Sequence, residues 1–330
     1  MLLCITKSKY YIIFIFLANI IISNNNIIIF KYINYLSKYA MMKRKVVQQG
    51  PCTHMISLPA KWIRLNSIKK GDELHVIEKG SSLFITPSEN GDSAREISVN
   101  YESFSQFPKR LFVSPYVRGY DTIRLNFKDP SVIDSVEKSM FMLTGFEIVE
   151  QKEGSITLQN IVKIDSSTFD QVYERIFNIA VSMLQELADV FRSGDFSNLQ
   201  GIIKYESLMN KLDLYCRRIL NMYGYKERDL TNSIYSIIRN LESMSDIMRD
   251  MIKEMEVKEK NNAACIGMTI LIELLKLNQK VLFTHNRALI SEIKEKEQEY
   301  LKAIEKSNEA INPYLLALFY PVHHISEEVL

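Results

Sequence analysis

Between Val172 and Ile252 apolar residues recur at the spacing of an α-helix face, and this pattern limits the possible folds more than any other feature of the chain. Val172, Ile176, Ile179, Met183, Leu187 and Val190 form one such stripe, which ends at Gly194. Ser167 or Thr168, followed three positions later by Asp170 or Gln171, marks its start. A second helix is predicted from about Asp195 to Met222, stopped at Gly224. A third begins near Thr231 and carries Ile234, Ile237, Ile238, Leu241, Met244, Met248 and Ile252 on one face. Long helices joined by short loops can cover such stripes only against one another, so residues 166–260 are expected to form a three-helix bundle. Residues 261–330 read as a degenerate second copy: Ile266–Leu282 is almost entirely apolar, Arg287–Ser307 is a mixed-charge solvated helix, and Leu315–Val329 stands where the next acidic motif would fall.

The chain ahead of the bundle differs in kind. From Lys43 to Lys70 there are seven basic side chains, Lys43, Arg44, Lys45, Lys61, Arg64, Lys69 and Lys70, and no acidic one. Overall charge does not explain this, because the net value of +2 depends on Lys7, Lys9, Lys31 and Lys38 in an acid-free start. Nucleic-acid contact must therefore come from this local patch. His54–Leu58 reads as a strand, Pro59 opens a single helical turn over Ala60–Leu65, and Ile68–Asp72 makes a turn. Strands follow at Glu73–Glu78 and Leu83–Thr86. Such short strands cannot bury a core in one copy, so an interleaved homodimer is expected over residues 42–88.

Residues 95–165 read as a small α+β segment. Leu111–Val113, Thr122–Phe127, Gly145–Val149 and Ser155–Val162 are predicted strands, with an amphipathic helix over Ser131–Leu143. Arg118 and Asp121 flank Tyr120, a pattern read first as a salt bridge at a turn and second as a ligand contact.

In residues 1–40, 28 positions are Ile, Asn, Lys, Tyr or Phe, the set encoded by codons of A and T alone. The apolar stretch Tyr10–Ser23 is interrupted by Asn19 and is shorter than a membrane span of roughly 20 residues. Residues 1–41 are therefore expected to precede a true start at Met41 or Met42, with a membrane anchor as the competing reading. Cys4, Cys52, Cys216 and Cys265 lie far apart without a CxxC pair, as expected of plain thiols in a reducing, cytoplasmic compartment. The chain has no Gly-rich phosphate loop, no nucleophile elbow and no His-Glu-x2-His, so no enzyme is expected.

Two acidic rows stand on the bundle helices. Arg239-x-Leu241-Glu242-x3-Asp246 sets two carboxylates one turn apart at the edge of an apolar stripe, and Glu206-x3-Asn210-x2-Asp213 makes an oxygen-rich row on the preceding helix. Facing rows of hard oxygen ligands without Cys or His suit Mg, Mn or Fe better than Zn or Cu. Glu206, Asn210, Asp213, Glu242 and Asp246 are thus the candidate metal ligands.

These motifs carry three resemblances. The pattern Gly50-x7-Leu58-Pro59-x2-Trp62-x5-Ile68-x2-Gly71-Asp72-x-Leu74-x-Val76-x6-Leu83-x-Ile85 resembles the SpoVT/AbrB-type module. That resemblance implies a swapped-hairpin dimer that presents its basic side chains to DNA. The block Gly119-Tyr120-Asp121-x-Ile123 followed by Gly145–Val149 resembles the middle segment of archaeal PhoU-type regulators. The two acidic rows resemble the PhoU family, whose bundles carry Glu/Asp-x3-Asp, bind metal clusters and regulate phosphate uptake. Asn210 stands where that pattern has an acid. In the second copy Leu318-Phe319-x3-His323 replaces Leu-Glu-x3-Asp, so a second site is expected to be lost, and His323 and His324 read as core or surface residues.

The expected whole is a multidomain α+β chain with an AbrB-like swapped-hairpin β module, a small α+β middle segment and a C-terminal all-α PhoU-like bundle. As a function, these resemblances imply a DNA-binding regulator of phosphate uptake. The alternative is an adaptor that contacts a phosphate transporter or kinase without operator binding. Membrane insertion is not expected.

Overall fold

The computed structural model describes residues 43–79, 82–86, 95–101, 108–162, 164, 166–197, 199–254, 260–305 and 311–329. They belong to two units, the first ending at Glu89 and the second beginning at Asn90. The expectations for residues 1–41 lie outside the described residues.

In the first unit β1 (Val47–Gln48) pairs antiparallel with β2 (His54–Met55), Val47 opposite Met55. The strand expected to run to Leu58 is thus only two residues long. Helix α1 (Ala60–Leu65) starts after Pro59, whose missing N–H costs nothing at a helix entrance. It ends where the Asn66 side-chain amide donates to the Trp62 carbonyl at 2.8 Å. Gly71, at φ +97°, and Asp72, whose carboxylate accepts from the Lys69 N–H at 2.7 Å, turn the chain into a hairpin of β3 (His75–Lys79) and β4 (Ser82–Thr86). The hairpin register is fixed by His75 opposite Thr86 and Lys79 opposite Ser82. Among the residues of this unit whose burial is described none is fully buried. Val46, Val47, Met55, Ile56, Leu65, Val76 and Leu83 are all exposed, Leu65 to 74%. Those side chains form strands and a helix without a buried core among them.

The second unit opens with a four-stranded sheet in the order β5 (Glu96–Asn100), β6 (Thr122–Asn126), β8 (Ser155–Asn160), β7 (Phe146–Lys152). β5 runs parallel to β6, and the other pairs are antiparallel. The parallel pair requires a crossover, supplied by α2 (Pro108–Val117). The strand expected at Leu111–Val113 is therefore the middle of a helix. A run of three apolar residues fits either period, and Phe112 and Tyr116, one turn apart and both fully buried, fix the helical one. The helix expected over Ser131–Leu143 stops as α3 at Glu137 and gives way to a 3-10 turn over Met140–Met142. Strand β5 was not anticipated. Phe112, Tyr116, Ile123, Leu125, Val132, Val136, Phe146, Ile156 and Leu158 form a core from the sheet and both helices, and Leu214 of the following bundle joins it.

Six helices complete the unit: α4 (Phe169–Ser193), α5 (Leu199–Tyr223), α6 (Thr231–Glu254), α7 (Asn262–Thr284), α8 (Ile290–Ile304) and α9 (Asn312–Val329). The expected stripe of α4 is on its inner face, with Ile176, Met183 and Leu187 fully buried. Gly194 ends the helix in the left-handed region at φ +76°, its N–H donating to the Val190 carbonyl at 2.8 Å. α5 starts later than expected because Asp195 turns back to accept from the Ser197 N–H at 3.0 Å. Buried residues from all six helices form one continuous core. The expected second copy thus shares the core of the first: α4 packs on α7, and α6 on α9. No helix among the described residues is long and apolar enough to cross a membrane.

Candidate functional site

The seven basic residues singled out in the first unit, Lys43, Arg44, Lys45, Lys61, Arg64, Lys69 and Lys70, are all exposed. The first three precede β1 in an extended segment, Lys61 and Arg64 stand on α1, and Lys69 and Lys70 lead into the Gly71 turn. Half-buried Trp62 and Ile63 lie between the two helical cations.

In the second unit the two acidic rows come together along α5 and α6. Glu206, Asn210, Asp213 and Arg217 follow one another at helical spacing on α5, as do Arg239, Glu242, Asp246 and Arg249 on α6. Arg217 grips Asp213 with two prongs, Nε to Oδ1 at 2.8 Å and Nη2 to Oδ2. Arg239 reaches Asp213 at 3.7 Å and Glu242 at 2.9 Å. Arg249 bridges the helices, contacting Glu206 and Asp246 at 2.5 Å each and Asp250 at 2.8 Å. The Asn210 amide donates to Glu206 Oε1 at 2.8 Å. These five predicted oxygen donors thus lie on neighbouring helix faces, and Asn210, Asp213, Glu242 and Asp246 line one cavity of about 280 Å³ beneath Lys109 and Arg110 of α2.

The arrangement does not fit a metal ion. Guanidinium groups sit where a cation would, and two more basic side chains line the same cavity. Among the described residues no three His, Cys, Asp or Glu side chains are gathered closely enough to hold an ion. The sequence contains the reason in a form that was not read: Arg217 stands four positions after Asp213, and Arg249 three after Asp246, the spacings at which helical ion pairs form.

Charge compensation is incomplete at Glu242. Its Oε2 lies 2.9 Å from Arg239 Nη1 but without hydrogen-bond alignment to any donor. Burial, then Asp213 and Asp246, push the carboxyl from an ordinary 4.5 up to about 7, against the pull of Arg239. Burial likewise raises Asp213 and Asp246, opposed by Arg217 and Arg249 respectively. A carboxyl raised on folding contributes most below its unfolded pKa, and that contribution is lost as pH rises through the folded value, here between about 4.5 and 7. Glu242→Gln is therefore expected to flatten the fall in stability across this window. It should also raise stability above the window by on the order of 1–3 kcal/mol. A melting-temperature profile against pH running parallel to the wild type would refute this.

Arg218, next to Arg217 and about 100° further round α5, points into the sheet domain and is fully buried. It donates to the carbonyls of Tyr116 and Tyr120 at 2.7 Å each and to Asp121 Oδ1 at 2.8 Å. Its guanidinium stands 5.0 Å from the rings of both Tyr116 and Phe146. Burial lowers its pKa, against the pull of Tyr116 and Asp121. The salt bridge expected between Arg118 and Asp121 is therefore not the one formed: Asp121 pairs with Arg218. Gly119 completes the joint. It sits at φ +84°, and a Cβ there would lie 2.7 Å from the Met222 side chain of α5.

His323 stacks on Phe319 at 5.6 Å, and its Nδ1 lies 2.9 Å from Glu297; His324 Nδ1 lies 3.0 Å from Glu327. Both sit at the surface of α9.

The family model that matches the chain is PhoU, the PhoU domain, over residues 173–255. This span covers α4 from Tyr173 onward, α5 and α6, and includes both acidic rows, so the first half of the bundle is PhoU-like. No curated protein and no solved structure matches the chain.

Proposed function

We propose that the chain is a regulator of phosphate homeostasis in which residues 43–86 engage DNA as a homodimer and the helical bundle reads phosphate status. The observation that carries this reading is the PhoU-domain match over residues 173–255. The same chain also bears an acid-free segment whose seven basic side chains are all exposed. The DNA half draws further support from the uncovered apolar side chains of the first unit, which a second copy of the same unit would bury. Dimerisation doubles the seven cations and gives a salt-sensitive hold on phosphate backbones. The bundle acts by binding rather than by catalysis.

Genome-wide immunoprecipitation from cells grown at high and low phosphate tests this reading. The expected result is enrichment at promoters of phosphate-uptake genes that changes with phosphate supply. Absence of enrichment, with a phosphate transporter or kinase co-purifying instead, would replace operator binding with an adaptor role.

A further inference from the structure

The junction between the sheet domain and the bundle holds a second, larger cavity, of about 580 Å³, that none of the acidic residues lines. Its walls divide into two kinds. Leu111, Val113 and Val117 of α2 give an apolar side, and Arg110, Arg118 and Arg217 contribute three guanidinium groups. Arg118 is exposed, with its guanidinium 6.0 Å from the Tyr120 ring. Arg217 is tied to Asp213 through Nε and Nη2, so Nη1, with only a long 3.4 Å bond to the Tyr235 hydroxyl, is the atom turned toward a guest.

We propose that this cavity binds a nucleotide, with its phosphates on the arginines and its nucleoside against the apolar side of α2. A guanidinium presents a planar fork that matches the oxygens of a phosphate. A bare phosphate would use only the charged wall and leave the apolar one wet, whereas a nucleotide uses both. The volume lies within the usual range for small-molecule sites, roughly 300–1,000 Å³. The smaller cavity shares Arg110, Val113 and Arg217 with it. Together the two linings hold Lys109, Arg110, Arg118, Arg217 and Arg249 against Asp213, Glu242 and Asp246, and the carboxylates all line the smaller cavity. Because α2 belongs to the sheet domain, and Arg217 and Tyr235 to the bundle, a guest would bridge the two parts. This gives the proposed regulator a ligand, yet it rests on residues 110–235 and not on DNA binding.

The test is calorimetric titration of the full chain with ATP, AMP and inorganic phosphate, without added metal, and of Arg118→Gln, whose exposed position leaves the fold intact. ATP or AMP is expected to saturate the chain at micromolar concentration, with inorganic phosphate at least about tenfold weaker. Arg118→Gln is expected to weaken the nucleotide by about tenfold or more. No nucleotide binding at millimolar concentration, equal affinity for inorganic phosphate, or unchanged affinity in Arg118→Gln would each overturn the proposal. None of these results bears on promoter occupancy, so the two readings fail separately.

Discussion

Arg218→Met is expected to cost the second unit about 3–5 kcal/mol, a drop in melting temperature on the order of 10 °C for a body of this size. Met fills most of the volume and keeps the apolar stem, so the loss falls on the polar end of the side chain. The carbonyls of Tyr116 and Tyr120 and the carboxylate of Asp121 lose the donors that hold them. Asp121 retains its hydrogen bond from the Arg95 N–H at 3.2 Å and is partly exposed, which keeps the cost from rising further. Arg218→Lys keeps the charge but not the fork, so it should fall between Met and the wild type. Differential scanning calorimetry of the three chains checks the order; a Met variant within 1 kcal/mol of the wild type, roughly the scale of an ordinary surface change, would show that the joint does not depend on this residue.

The second large effect belongs to the first unit. Replacing Lys43, Arg44 and Lys45 together with Ala should lower affinity for all DNA sequences alike, at low salt by about a hundredfold or more. The slope of affinity against salt should fall by up to about three phosphate contacts per subunit. These three residues are exposed and precede β1, so circular dichroism should not change. Fluorescence anisotropy across a salt series measures both quantities. An unchanged slope would move the DNA interface elsewhere, with Lys61, Arg64, Lys69 and Lys70 the next positions to vary.

The long helices were legible because a stripe sustained over five or more turns fits only one period, and Gly194 and Gly224 mark where α4 and α5 end. Short elements were harder to read. Leu111–Val113 is too brief to tell 2 from 3.6, and Glu96–Asn100 alternates over only five positions. In the site, the pairing of the two acidic rows followed from helix spacing and bundle packing. What neutralises them was not legible from the carboxylates alone, which read alike whether an ion or a guanidinium lies between them; the signal lay in Arg217 and Arg249, one turn further along each helix. Arg218 gave no signal at all. Its partners Tyr116, Tyr120 and Asp121 lie about a hundred positions earlier in the chain, and neighbouring Arg217 and Arg218 on a helix look alike until the fold turns one inward and leaves the other at the rim.

The shared core of the six helices sets an order of events during synthesis. Helix α4 leaves the ribosome before α7, against which it packs, and α5 and α6 are made in between. α4, α5 and α6 pack on one another as they emerge, but until α7 and α9 arrive the faces of α4 and α6 that those two helices cover stay open, so the nascent chain carries an apolar surface through the middle of its translation. A chain halted near residue 260 would carry the whole PhoU-matching span and yet lack the helices that cover it. Such a fragment should be held by chaperones or aggregate rather than persist as a small independent domain.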